Sequence, residues 1–478
     1  METTGTEDRR PRRDYPDVAA ADTDFARVRA LEYGYLDETR QIYLDHTGAA
    51  LPAQRQLHAQ TERLTRGVFG NPHTDSPASA RTTALVEEAR RRVLDFAGAD
   101  PAEFTVVFTA NATAACRLVG EAYPFRRRRA ELLLTLDNHN SVNGLRAFAR
   151  ARSTPTTYVP LTGPEMRVGD EDLLRALRAR RGLFAYPAQS NFSGVQHPLE
   201  WIPAAQEAGW HVLLDAAAYA PTNALRLSRW PADFTVLSWY KVFGYPTGVG
   251  VLIARTSALR LLRRPWFSGG TIQVVSAQGQ WHRMAEGPAA FEDGTVDFHA
   301  IPEVTTGLDW IESLGMGAIH DHVTRLTGRL LAGLLALRHS DGSPLVRLYG
   351  PRTTHRRGGT VALNVLDADG RVVDERIVAR DSSAARISLR TGCFCNPGAG
   401  EAAFEISRRA LRRTGRDATV TSIDEYLPRL GLSSGGAVRV SLGLSSSPGD
   451  VDALLRFLAG TYRDQLPYAD DLSPRLTC

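Results

Sequence analysis

The sequence predicts an α/β protein, with a large domain on a mainly parallel sheet followed by a smaller α+β domain toward the C-terminal end. Two patterns predict it. Between about residues 100 and 255, short apolar runs alternate with helical stretches, as in strands joined by crossover helices. Beyond a long helical stretch at 301–338, broken by Gly315 and Gly317, the segments VRLYG, TVALNVL and AVRVSLGL are interspersed with helices.

In chain order the strands expected are EFTVVFT (103–109), ELLLTL (131–136), GLFAYPA (182–188), HVLLDA (211–216), FTVLSW (234–239) and GVGVLIA (248–254). Helices are expected over 111–122, 141–152, 170–181 and 200–208. The expected division is an N-terminal segment at 1–40, a large domain at 41–310 and a small domain at 311–478. The first 14 residues are polar and charged and read as disordered; the segment to about residue 40 is expected to pack on the small domain or to stay disordered. In such a sheet, ligands gather at the carboxyl ends of the strands.

Composition narrows the function. A hydrophobic content of 43% is that of a globular protein. No apolar run reaches the roughly 18 residues of a membrane helix, and the N-terminus lacks a signal-peptide core, so a cytoplasmic protein without a membrane partner is expected. The net charge of +4 is small for 478 residues. The basic runs Arg90–Arg92 and Arg126–Arg129 are dispersed, which argues against nucleic acid. Cysteines at 116, 393, 395 and 478 are too few for a disulfide framework, and a CxC pair without a further cluster argues against a metal.

Of the 57 basic residues all but Lys241 are arginine. Arginine replaces lysine on a solvated face but cannot form an imine, so the surviving lysine points to Schiff-base chemistry with pyridoxal phosphate (PLP). A leftover surface lysine is the competing reading. Lys241 follows a strand that ends at Ser238, which is placed to bond a phosphate. Asp215 closes HVLLD ahead of three alanines, where a carboxylate suits a protonated pyridine nitrogen; an N-cap is its competing use. Thr113 stands in the first turn of a helix, a phosphate-binding position. His139 sits at another strand end, for stacking on a ring or for a structural role. Arg390, in ISLRTGCFCNPG, suits an α-carboxylate or a surface ion pair.

Taken together, YLDHTGAALP, GNPHTDSP, FTANATAA, DNHNSV, NFSG, LLDAAA, PADFTVLSWYKVFGYPTGVG, FSGGTI, FEDGTVDF, RTGCFCNPGAG and GAVRVSLG resemble the class V branch of fold-type I aminotransferases. Within it they resemble the molybdenum cofactor sulfurases and cysteine desulfurases, from about Tyr43 to Leu458. The resemblance implies a fold-type I PLP-dependent transferase with a seven-stranded-type sheet, acting as a homodimer. Lys241 would carry PLP, Asp215 face its ring nitrogen, and His139 stack on the ring and move protons. Thr113, the backbone at Ala112, Ser238 and a second subunit's Thr295 would hold the phosphate. Asn191 would touch cofactor and substrate, Arg390 the carboxylate of an amino-acid substrate, and Cys395 would accept sulfur.

The implied function is C–S bond cleavage in L-cysteine or a related thio-amino acid, with sulfur passed to a protein or small-molecule acceptor. The alternatives are a C–S lyase without a protein persulfide and a catalytically silent scaffold. Cys395 is expected on a short mobile loop freed by Gly392 and Gly398, with Cys393 as a packed small side chain. Three features depart from the general desulfurases: ANAT, Ala218 in place of a glutamine, and Tyr240 before the lysine, the last agreeing with the sulfurase branch. The resemblance to eukaryotic sulfurases covers only their first half, and no counterpart of their C-terminal cofactor-binding domain is expected.

Overall fold

The computed structural model describes residues 23–72, 74–125, 130–414, 422–432, 434–467, 472 and 474–475. The first 14 residues, the Arg126–Arg129 run and Cys478 lie outside the described residues.

Seven strands form the main sheet: β1 Phe104–Thr109, β2 Glu131–Thr135, β3 Thr156–Val159, β4 Gly182–Pro187, β5 His211–Asp215, β6 Phe234–Ser238 and β7 Gly250–Arg255. Their spatial order is β1-β7-β6-β5-β4-β2-β3. β7 runs antiparallel to both neighbours, and the remaining pairs are parallel. Helices cover both faces, so every residue of β2, β4 and β6 is buried, polar Glu131, Thr135, Thr235 and Ser238 included.

Sequence patterning missed β3, because TTYV is a four-residue edge strand with partly exposed, polar-rich faces. It also missed the hairpin Ile272–Ser276 with Trp281–Met284, which exposes Val274, Val275 and Trp281. The helix expected over 141–152 divides at Gly144. The long stretch at 301–338 divides into Pro302–Leu314 and Met316–Ala336, with Gly315 at φ +80° between them, a conformation that favours glycine.

A second, antiparallel sheet of β8 Val346–Tyr349, β9 Thr360–Val365, β10 Arg390–Gly392 and β11 Ala437–Ser441 is ordered β8-β9-β11-β10. The helix Phe25–Glu32 ties the N-terminal side to the helices beside this sheet. Phe25 stacks on His322 at 4.1 Å, and Arg29 donates to Asp450 at 2.7 Å and to the Ser445 carbonyl at 2.6 Å. Ile42 and Tyr43 then pair in parallel with Ile387 and Ser388 in a separate two-stranded ladder, and Asp45 bridges to Ser441 of the second sheet. Among the described residues, no helix is long and apolar enough to cross a membrane.

Candidate active site

Strands β1, β2, β4, β5 and β6 all run in one direction, so their last residues meet at one edge of the sheet. β1 leads through Asn111 into the helix Ala112–Ala122, and the Asn111 side chain caps it by accepting from the Ala114 N–H. β2 leads to His139 and β4 to Asn191. β5 ends on Asp215, and β6 ends on Ser238, from which a five-residue helix carries Lys241.

These ends enclose a cavity of about 290 Å³ lined by Ala112, Thr113, His139, Asn191, Asp215, Ala218, Ser238, Tyr240 and Lys241, among others. It joins a wider cleft, lined by Asn191, Tyr240, Lys241, Arg390, Cys395 and Arg439, through residues that border both. The structure thus gathers every residue expected in the site except Thr295. Thr295 lines a neighbouring pocket, which shares Ala110 and Gly248 with the cavity, and stands 3.4 Å from Asn71 Nδ2.

Burial governs the titration of the deep cavity's groups. Burial lowers the Lys241 ammonium pKa, nearby Arg439 and Arg390 lower it further, and Asp215 opposes them. Burial raises the Asp215 pKa. Its Oδ1 accepts from the Ala217 N–H at 3.0 Å, and Oδ2 has no hydrogen-bond partner among the described residues. Ser238 Oγ accepts from the Ala112 N–H at 2.8 Å, and Thr113 Oγ1 lies 2.6 Å from Ser141 Oγ. Burial, with Lys241 and Arg439 nearby, brings the His139 pKa down to about 4. Its Nδ1 accepts from the Ser141 N–H, which selects the neutral tautomer protonated at Nε2.

The cleft is built differently. Arg390 donates to Asp45 Oδ2 from Nε at 2.9 Å and from Nη2 at 2.8 Å, and Asp45 Oδ1 accepts from Arg439 Nη2 at 2.8 Å. Cys395 is an exposed free thiol at φ +53°, next to Phe394 at φ +56°. Its loop is strapped rather than free. The Cys395 carbonyl accepts from Asn140 N–H at 2.7 Å, and the Phe394 carbonyl from Asn191 Nδ2 at 2.8 Å. Fully buried Asn396 donates to the Asp137 carbonyl at 2.7 Å and to Asn191 Oδ1 at 2.8 Å. Gly398 serves close packing, since a Cβ there would stand 2.0 Å from the Leu136 carbonyl oxygen. Cys393 is buried and disulfide-bonded; among the described residues, Cys395 and buried Cys116 are free thiols.

Ser141, Asn396, Asp45 and Arg439 were not given roles from the sequence. Asp45 and Arg439 stand inside motifs quoted for the resemblance, but their meeting across 394 positions leaves no local signal.

The residues fit PLP. A buried amine, a buried carboxylate with a vacant oxygen, a neutral imidazole and the first turn of an eleven-residue helix converge on one cavity. Fold and site define a PLP-dependent enzyme of fold-type I. The chain belongs to the class-V aminotransferase family, whose model matches residues 42–454. It is similar to the molybdenum cofactor sulfurase of Arabidopsis thaliana, with 34% identity over 94% of this chain and 59% of that protein. It is also similar to that of Homo sapiens, with 36% identity over 91% of this chain and 51% of that protein. The chain therefore spans a little over half the length of these relatives. Among solved structures, the apo cysteine desulfurase of Thermococcus onnurineus superposes with a TM-score of 0.75 at 25% identity, covering 91% of this chain and 98% of that one.

Proposed function

We propose that this chain cleaves the C–S bond of L-cysteine or a related thio-amino acid and passes the sulfur through Cys395 to a protein or small-molecule acceptor. One observation carries the reading: an exposed free thiol shares a cleft with Lys241 and a half-exposed Arg390.

Bound PLP supplies an electrophilic carbonyl and a ring that accepts electrons. Lys241 Nζ, Asp215, Thr113, Ser238 and the backbone at Ala112 would hold it. Asp215 would favour the protonated ring nitrogen, and neutral His139 would keep an Nε2–H available for donation beside the group. Arg390 receives the substrate carboxylate, with Asn191 beside it. Lys241 Nζ takes the α-proton. The Cys395 thiolate attacks the substrate sulfur, so that an S–S bond forms as the C–S bond breaks and its electron pair stays with the carbon skeleton. That skeleton takes up one proton at Cβ, regains the α-proton from Lys241 Nζ, and leaves as alanine.

The active form in this proposal is a homodimer. Thr295 completes the phosphate site of a second copy, and exposed Trp266, Phe267, Val274, Val275 and Trp281 supply an apolar face for that contact. Sedimentation with PLP quantitation tests this; a monomer holding full PLP contradicts it. The reaction is tested by product analysis with L-cysteine, where alanine supports desulfuration and pyruvate with ammonia supports a lyase.

A further inference from the structure

We infer that Asp45 is a positioning and specificity-determining residue, which sets the carboxylate subsite to accept a single negative charge. The inference rests on the reading above only in that an amino-acid carboxylate is taken to bind at Arg390. It starts from the register of the second sheet. Arg390 on β10 stands directly opposite Arg439 on β11, and like charges placed so repel one another. Arg439 is almost wholly buried; its Nη1 donates to the Asn191 carbonyl at 3.2 Å, and its guanidinium lies 4.9 Å from the Phe394 ring centre.

Asp45, from a segment distant in the chain, enters between the two and gives one oxygen to each. Gly48 makes the approach possible, since a Cβ there would stand 2.4 Å from Asp45 Oδ2 and 2.8 Å from Arg390 Nη2.

Two consequences follow from this geometry. Asp45 occupies the Nε–Nη2 edge of Arg390, so the fork presents its Nη1–Nη2 end, one bidentate position for a carboxylate. Two guanidinium groups against one carboxylate leave a single excess positive charge, which one α-carboxylate neutralises. Monocarboxylate amino acids with an uncharged side chain are thereby favoured over dianions. Without Asp45 the excess is two charges, and the edge it vacates joins Arg439 as a dianion site.

The test uses PLP-loaded protein and two ligands that need no turnover: sulfate, by calorimetry, and L-alanine, by the change in PLP absorbance. D45N is expected to bind sulfate roughly ten- to a hundred-fold tighter than wild type, the span of one charge-assisted pairing. The double variant D45N/R439M carries the wild-type charge excess and is expected to return to wild-type sulfate affinity, which a merely structural Asp45 does not explain. D45E keeps the charge on a longer arm that turns the fork, so sulfate affinity is expected to hold while L-alanine binds more weakly.

Unchanged sulfate affinity in D45N overturns the inference, as does persistence of the tighter binding in the double variant. Should D45N fail to fold, D45E decides: wild-type affinity for L-alanine, or tightened sulfate binding, overturns it. A wild-type enzyme that makes no alanine from cysteine removes the desulfurase reading and leaves these binding results standing.

Discussion

The deep cavity and the cleft above it are made by two kinds of folding. The Lys241, Asp215 and His139 end is fixed by the sheet, because each residue follows from where a parallel strand stops. The Arg390 and Cys395 end is fixed by contacts between segments far apart in sequence: Asp45 with Arg439, Asn191 with Phe394, Asn396 with Asp137. The first end is buried and uses burial to set protonation. The second is half open and uses ion pairs and side-chain amides to aim its groups. One end thus has the features needed to hold a cofactor, the other those needed to orient what reacts with it.

The largest loss is expected from Lys241→Ala, which removes the chain's one ε-amine. Turnover of L-cysteine is expected to fall by roughly 10³-fold or more, since imine exchange and proton transfer are lost together. A lysine adduct still recovered by borohydride from that variant refutes the assignment. Asp215→Ala is expected to keep part of its PLP and lose roughly 10²–10³-fold in kcat, as expected when an electrostatic partner of the developing charge is removed. Near-normal kcat there places the cofactor elsewhere.

A change at the other end has a different signature. Asn396→Ala leaves the buried Asp137 carbonyl and Asn191 Oδ1 without their donor and is expected to cost about 1–3 kcal/mol of stability. It also unstraps the Cys395 loop, so sulfur transfer is expected to fall several-fold while PLP content stays at the wild-type level. Equal losses of PLP and transfer erase the distinction between the two ends.

The smallest effect concerns pH. Burial brings His46, His139 and His322 each down to about 4 from an ordinary 6.5. Between these values the unfolded chain binds protons that the folded chain refuses, so this stability is complete above about pH 6.5 and is lost as pH falls toward 4. Thermal midpoints at pH 7, 5.5 and 4.5 are expected to decline, and His322→Gln to flatten the decline. A midpoint that rises on acidification contradicts the sign.

The same contrast explains what the sequence disclosed. Strands such as ELLLT and HVLLD are legible because burial on both faces leaves an uninterrupted apolar run, and their ends then locate Asp215 and Lys241. TTYV and the hairpin at 272–284 are partly exposed, and their patterns fade into the loops around them. In the cleft, Arg390 and Cys395 are visible as residues, but their surroundings are not. RTGCFCNPG reads as a glycine-freed loop until Asn140, Asn191 and Leu136 are seen pressed against it. Likewise, the facing of Arg390 and Arg439 emerges only from the β10–β11 register.

The central claim is that sulfur leaves its substrate onto Cys395. The most direct measurement is to incubate PLP-loaded wild-type protein and Cys395→Ser with L-cysteine, map protein persulfides by mass spectrometry, and quantify alanine and pyruvate. A persulfide at Cys395 with matching alanine is expected in the wild type, and the loss of both in Cys395→Ser with PLP retained. Label and alanine that survive in Cys395→Ser, or pyruvate and ammonia formed by the wild type with no labelled cysteine, contradict it.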